Sequence, residues 1–418
     1  MSAPIAAIIA EYNPFHNGHA YQIAEVRSKL PDARIIAIMS GSFTQRGKPA
    51  LLDKWTRAQL AVQSGCDLVL ELPFAFCCRS AQAFARGGVR LAAGLTKVTH
   101  LAFGAETPDL ALLQKIASVI DKTAIQASLH EKISAGLSYA SALSQTIAKD
   151  QQLDELFLQQ PNNILATEYL RALSKYGRNI QPLLIQRQGA AYHQIALEGS
   201  QKGDNLLASA TAIRKLVYEG SIRTLDAACP AATAALLKDL PEKKLPDYER
   251  LWLPLKLALL RSRQEELDAV LGTGEGLPNR LRRIAAESAS LKEFLSATTT
   301  KRYPASRLTR LTLHMLLRFT SAEAKVFDEA GPLYARMLAA RPTGLKLLHE
   351  LKSASKLPFI AKISRYLNSK QREHDYTQLF TLQQELVYDT WATELREMTL
   401  PEPNNINDFQ QSPIIVKD

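Results

Sequence analysis

Five short, continuous apolar runs, interleaved with stretches of helical periodicity, restrict the fold of this chain more than any other feature. The runs cover residues 5–10, 34–39, 67–72, 100–103 and 182–185. The helical patterns cover 20–30, 54–64, 81–93, 110–120 and 164–176. Strands that read as unbroken apolar blocks are buried on both faces, and helices between them supply the cover. The expected fold class is therefore α/β, with a parallel sheet. Ligands of such sheets bind beyond the carboxyl ends of the strands, where the connecting loops gather.

The end of the first run carries the most chemistry: Ile8-Ile9-Ala10-Glu11-Tyr12-Asn13-Pro14-Phe15-His16-Asn17-Gly18-His19. An apolar strand enters a Pro-containing turn, and two histidines flank a glycine where a helix opens. Gly18 lets a ligand approach the backbone. His16 and His19, three residues apart, project to one side of a turn. A helix N-terminus adds unpaired N–H donors and a positive dipole end, which favour phosphate. An isolated H-x-G-H is a weak signal, and a capping histidine beside an ordinary helical one would produce it. The strand–turn–helix context points instead to a nucleotide phosphate site. Imidazole N–H donors there would stabilise charge that builds on an α-phosphate and on departing pyrophosphate.

A second phosphate cradle is expected at Ala208-Ser209-Ala210-Thr211-Ala212-Ile213-Arg214-Lys215. Ser209 is a credible N-cap, Thr211 lies in the first turn and Arg214 follows one turn later. A plain capped helix with exposed basic residues has the same appearance, so this segment gains weight only beside the first.

The chain has 418 residues, too many for one ordinary core, and two domains are expected. Residues 1–224 form the first, with a helical insertion at about 124–160. From 225 to 399 helical periodicity dominates, at 227–238, 251–263, 281–286, 307–319 and 329–340, with no convincing strand series. Residues 400–418, with Pro401, Pro403 and Pro413, read as a loosely held tail. No apolar run is long enough to span a bilayer, and the segment from Pro4 to Ala10 lacks a basic flank, so neither a signal peptide nor membrane attachment is expected. Four cysteines, two of them adjacent (Cys77 and Cys78), make neither a disulfide framework nor a zinc signature, and suit a reducing cytoplasm. The formal charge of +10 fits a polyanionic partner such as RNA.

In order along the chain, EYNPFHNGHAYQI, SGSFTQRGKPALLDKWTRA, SGCDLVLELPF, LAFGAE, PNNILATEYL, ASATAIRK and TKRYPASRLTRLTLHMLL resemble the bacterial tRNA(Met) cytidine acetate ligase family of the H-x-G-H nucleotidyltransferase superfamily. The resemblance implies a Rossmann-like nucleotidyltransferase domain followed by an α-helical one. It implies ATP-dependent activation of acetate to acetyl-adenylate, then acetyl transfer to N4 of the wobble cytidine of elongator tRNA(Met). One departure is Ala210, where superfamily relatives commonly carry a second serine.

On that resemblance His16, His19 and Arg214 are the expected catalytic residues. Ile9, Glu11, Tyr12, Asn13, Pro14, Phe15, Asn17, Gly18, Gly104, Asn162, Arg187, Ser209 and Thr211 are the expected ATP contacts. Gly104, Asn162 and Arg187 also have ordinary explanations: a loop glycine, a capping residue and a surface ion pair. In the loop after the second strand, Arg46, Lys54 and Arg57 are candidates for the acyl-adenylate or the tRNA. Lys301, Arg302, Arg307 and Arg310 are the expected tRNA contacts of the second half, clustered with Arg280, Arg282, Arg283, Arg318 and the aromatic Tyr303. The anticodon loop and acetate are the implied partners, with no stable protein partner. Mg²⁺ is expected with ATP; Glu11 and Glu71 could hold it or orient a histidine, although no carboxylate cluster singles out a metal site. An adenylyltransferase for a small phosphorylated metabolite and a non-catalytic RNA-binding protein remain open alternatives.

Overall fold

The computed structural model describes residues 3–152, 154–187, 207–274, 276–373 and 376–417. The five expected strands form: β1 (Ile5–Ala10), β2 (Arg34–Ser40), β3 (Leu68–Leu72), β4 (His100–Ala105) and β5 (Gln181–Gln186). They pair in parallel in the order β5-β4-β1-β2-β3, so β1 is central and the chain reverses direction across the sheet there. Alternate side chains serve opposite faces. Ala6, Ile8, Ile35 and Ala37 pack under the helices Asn17–Lys29 and Lys54–Gln63. Ala7, Ile36, Ile38 and Leu70 pack under Ala81–Gly94 and Pro161–Tyr176. The insertion is helical, with helices Thr123–Ser134 and Tyr139–Gln151 closing a small core of their own around Ile125, Leu129 and Leu143.

The second half departs from expectation in two ways. The stretch 329–340 is not one helix: the helix Ser321–Ala330 stops at Gly331, and Ala335–Ala340 becomes strand β6, antiparallel to β3. Short strands β7 (Phe359–Ile360) and β8 (Ile414–Ile415) both pair with β6. The sequence ARMLAA is apolar throughout and is buried at every position. Such a run reads equally as buried helix or central strand, and only the open edge of β3 decides between them. The expected tail is also anchored. Its β8 extends the sheet, and Asp408 is buried against Lys54 and Arg336. Asp418 lies outside the described residues.

The remaining helices of this half, including Trp252–Arg261, Leu277–Glu287, Leu291–Thr298 and Ala305–Leu316, share one apolar core with the first half. The two halves meet closely at Gly47, in the loop after β2. Its φ is +80°, and a Cβ there would lie 2.9 Å from the Arg310 backbone, so glycine is required twice over. No helix among the described residues is long and apolar enough to cross a membrane.

Candidate active site

β1 ends in a turn that carries the H-x-G-H residues over the carboxyl edge of the sheet. Tyr12 takes a left-handed conformation (φ 47°), and the Asn13–Pro14 peptide is cis. His16 is the N-cap of Asn17–Lys29 and is buried. Its Nδ1 accepts from the Gly18 N–H at 3.0 Å, and the His16 N–H donates to His19 Nδ1 at 3.3 Å. A ring nitrogen that accepts carries no proton, so these two bonds assign both imidazoles as Nε2–H tautomers. The rings stack with centroids 3.8 Å apart, and Tyr12 meets His19 edge-on at 4.9 Å. Burial, His16 and Arg187 hold the His19 imidazole well below its ordinary pKa. Near neutral pH it is therefore an uncharged donor, which lets it stack on a second histidine without repulsion.

Gly18 has a more specific reason than ligand access. A Cβ at this position would lie 2.9 Å from His16 Cε1 and 3.1 Å from His16 Nδ1. The absent side chain makes room for the His16 ring.

The second segment lies beside the first. Ser209 caps the helix Ala210–Tyr218 through the Ala212 N–H at 3.2 Å. Ile213 and Val217 pack in the same core as Ile8, Tyr12 and Phe15. Arg214 reaches back to donate to the Asn13 carbonyl at 2.6 Å and to Thr211 Oγ1 at 3.0 Å. The two segments expected at the phosphates thus share a hydrogen bond, although about 200 residues separate them. Asn17 Nδ2 donates to the Ala227 carbonyl at 2.6 Å and ties the same turn to the next segment.

Gly104, Asn162 and Arg187 gather at the ends of β4 and β5. Arg187 Nη1 donates to Asn162 Oδ1 at 3.0 Å, and a Cβ on Gly104 would lie 3.1 Å from Arg187 Cγ. Asn162 does not cap its helix. Glu106 does so, accepting from the Asn162 and Asn163 N–H groups at 3.3 and 2.8 Å and from Asn162 Nδ2 at 2.6 Å. Glu106 was not singled out from the sequence; its place two residues beyond Gly104, at the end of an apolar run, is the signal that marks it.

Glu11 accepts from the Gln45 N–H at 2.6 Å. Burial raises its pKa, against that bond and against Arg214, Arg57 and Arg46. The cations surrounding this one carboxylate leave the site electropositive, as polyphosphate requires.

Three expectations need correction. Lys54 is completely buried, with Nζ at 2.7 Å from both Glu71 and Asp408, so it presents nothing to RNA or acyl-adenylate. Arg57 is equally buried, and its N–H groups go to the carbonyls of Leu52, Glu11, Ser40 and Gly41 and to Ser40 Oγ. It ties together the ends of β1 and β2. Glu71 is held by Lys54 and by Arg336 at 2.9 Å, which removes it as a metal ligand or histidine partner. A buried cation and a solvated one are identical in sequence.

In the second half Lys301 and Arg302 are exposed, and Arg307 and Arg310 are half-buried. Tyr303 is buried, with the Arg307 and Arg302 guanidinium groups 4.6 and 5.7 Å from its ring centre, so it is no open stacking platform. Arg280 and Arg282 donate to carbonyls at the ends of neighbouring helices, at Thr298 and at Leu259 and Ser262. Arg283 and Arg318 are exposed. Burial and the nearby Arg307 and Arg46 lower the Arg310 pKa to about 10, which still leaves it charged at neutral pH. All four cysteines are buried free thiols.

A model of the family described as HIGH nucleotidyl transferase matches residues 3–411. A tRNA(Met) cytidine acetate ligase of Caldanaerobacter subterraneus subsp. tengcongensis is 37% identical over 90% of this chain and 94% of its own length. One of Halothermothrix orenii is 34% identical over 96% of each. The chain belongs to the tRNA(Met) cytidine acetate ligase family. The crystal structure of Thermotoga maritima TmcAL bound with alpha-thio ATP superposes with a TM-score of 0.86 at 28% identity, over 99% of this chain and 100% of that one. The apo form of the same protein gives 0.87 at 29% identity, with the same coverage. The similarity includes the helical half and β6–β8, so family membership extends beyond the nucleotide site.

Proposed function

We propose that this protein is an ATP-dependent tRNA(Met) cytidine acetate ligase. One observation carries the reading: the H-x-G-H turn, the Ser209–Arg214 segment and the Gly104–Asn162–Arg187 group converge at the carboxyl ends of β1, β4 and β5. Relatives named for that activity match nearly the whole chain, and a similar structure is bound with alpha-thio ATP.

In the first step acetate attacks the α-phosphorus of ATP, pyrophosphate leaves, and acetyl-adenylate forms. His16 and His19 donate from Nε2 to oxygens that gain charge, without proton transfer, since both enter as neutral donors. Ser209, Thr211, Arg214 and the free N–H groups of the Ala210–Tyr218 helix receive the departing phosphates. Gly104, Asn162 and Arg187 hold the adenosine side, and Ile9 to Phe15 with Asn17 line the turn. In the second step the exocyclic amine of the wobble cytidine attacks the acetyl carbonyl and AMP leaves. That amine is a weak nucleophile, because its lone pair is delocalised into the ring, so an activated ester and close positioning are both needed. A single-stranded anticodon loop lets the base leave its stack.

Arg46 and Lys48 are exposed on the loop that Gly47 presses against Arg310. Arg46, Arg310 and Arg307 therefore form the expected path for tRNA phosphates from the helical half to the nucleotide, with Lys301 and Arg302 beyond. Mg²⁺ would enter with ATP. Among the described residues no group of three or more His, Cys, Asp or Glu side chains gathers, and Glu71 is already paired, so the substrate phosphates would supply most of its ligands. No step is routed through the ion.

The decisive experiment supplies radiolabelled acetate, ATP and bulk tRNA. Label in tRNA, released as N4-acetylcytidine on digestion, is expected. AMP incorporated into a small metabolite would favour a metabolite adenylyltransferase, and tRNA binding with no ATP turnover a non-catalytic RNA-binding protein.

A further inference from the structure

The helix Thr381–Met398 is the last long helix of the chain and is remote in sequence from the nucleotide turn. Near its end Arg396 is only 3% exposed, yet it carries a charge into the interior. Burial lowers its pKa, against Asp53 and Glu397, and among the described residues the carboxylate in direct contact is its neighbour Glu397, at 3.0 Å from Nη1. The other donors go to backbone: Nε to the Ala50 carbonyl at 2.9 Å and Nη2 to the Leu51 carbonyl at 3.0 Å.

The Ala50 carbonyl belongs to the same peptide unit as the Leu51 N–H. That N–H donates to Asn13 Oδ1 at 2.7 Å. Asn13 is three residues before His16, and its own carbonyl accepts from Arg214 at 2.6 Å. A guanidinium on the oxygen of a peptide polarises the unit and strengthens its N–H as a donor. Burying a guanidinium is costly, and an apolar side chain of similar size would fill the space more cheaply. A charge held here on two carbonyls calls for a reason beyond packing.

We propose that Arg396 is a positioning residue for ATP activation, acting through the Ala50–Leu51 peptide on Asn13 and so on the turn that aims His16 and His19. This rests on the ligase reading above. Arg396 touches neither nucleotide nor acetate. It fixes the height of the turn above the sheet while Arg214 draws the same residue toward the second phosphate cradle. Errors in that height act on the in-line transition state more than on the bound nucleotide, so the effect belongs in kcat rather than KM.

The test is a double-mutant cycle in acetate-dependent ATP–pyrophosphate exchange, with ATP affinity from calorimetry and thermal midpoints recorded in parallel. Arg396→Lys, whose single ammonium nitrogen replaces the rigid fork of separate nitrogens on the Ala50 and Leu51 carbonyls, and Asn13→Ala are each expected to lower kcat about tenfold, with KM for ATP changed less than about threefold. The double variant should be no slower than the slower single one. Multiplying effects, about a hundredfold together, overturn the proposal, as does Arg396→Lys that loses thermal stability with kcat intact. Arg396→Met keeps the stem volume and takes the place of Arg396→Lys if the latter does not fold. A wild-type protein that binds ATP but exchanges no pyrophosphate defeats the ligase reading, and this proposal falls with it, whereas multiplying effects in an active wild type overturn the proposal alone.

Discussion

Gly18→Ala separates the chemistry of the turn from its stability, because the two are expected to move independently. Gly18 is the second residue of the helix Asn17–Lys29 and its φ is not positive, so alanine fits the backbone there. Alanine in place of glycine favours a helix by about 1 kcal/mol. Against this, the new Cβ would lie 2.9 Å from His16 Cε1, where carbon atoms rest at about 3.5–4.0 Å. The His16 ring must therefore retreat by roughly 0.6 Å or more. Its bond to the Gly18 N–H is then lost or stretched, a cap worth about 1 kcal/mol. Gain and loss nearly cancel, and urea unfolding should place the variant within about 1 kcal/mol of wild type. Activity does not cancel. The ring moves a large part of an ångström and disturbs the stack with His19, and displacements near 1 Å cost about a hundredfold in rate. Acetate-dependent pyrophosphate exchange should fall about a hundredfold in a protein of unchanged stability. Exchange within about threefold of wild type would refute the assignment of His16 as a placed donor. A large fall in stability would show instead that the ring is needed by the fold.

His19→Ala should abolish acetate-dependent pyrophosphate release with little change in the thermal midpoint; full activity would remove histidine from the mechanism. Because the folded-state pKa of His19 is well below 6.5, its ring stays neutral while the pH falls through 6.5, and exchange should show no loss there attributable to His19. A sharp loss centred at 6.5 and absent from His19→Gln would contradict the depressed His19 pKa. Asp408→Asn leaves Lys54 and Arg336 to share Glu71, and urea unfolding should report a loss of about 3–5 kcal/mol. Arg336 and Lys54 hold the Asp408 carboxyl down to about 2 in the folded state, against 3.8 ordinarily. Its contribution is complete above pH 4 and is lost as the pH falls toward 2; Asp408→Asn should flatten that limb of the stability–pH curve. Lys48→Glu should weaken tRNA binding and shallow its salt dependence by about 0.7 per lost phosphate contact, with pyrophosphate exchange preserved. If exchange falls with binding, this loop serves the nucleotide rather than the RNA.

The sequence by itself determined the five parallel strands, because four are apolar blocks buried at most positions and the half-exposed edge strand β5 keeps the same apolar run in the same alternation with helices. It also marked the H-x-G-H turn and the later Ser209–Arg214 segment as candidate places for phosphate, since glycine, cap residues and a cation at fixed spacing act through local geometry. The tertiary structure decided everything that depends on surroundings. Lys54, Arg57 and Arg46 fall in one loop and helix with similar sequence character, yet two are buried anchors and one is exposed, according to whether carboxylates or carbonyls close over them. Residues 335–340 became a strand because β3 had an open edge, and the C-terminal segment was fixed because Lys54 and Arg336 needed a second carboxylate. Arg396 meets the Ala50 carbonyl across 346 residues of chain, and the Leu51 N–H of that peptide meets Asn13. Local spacing carries no information about such a contact, because its partners are backbone atoms common to every residue.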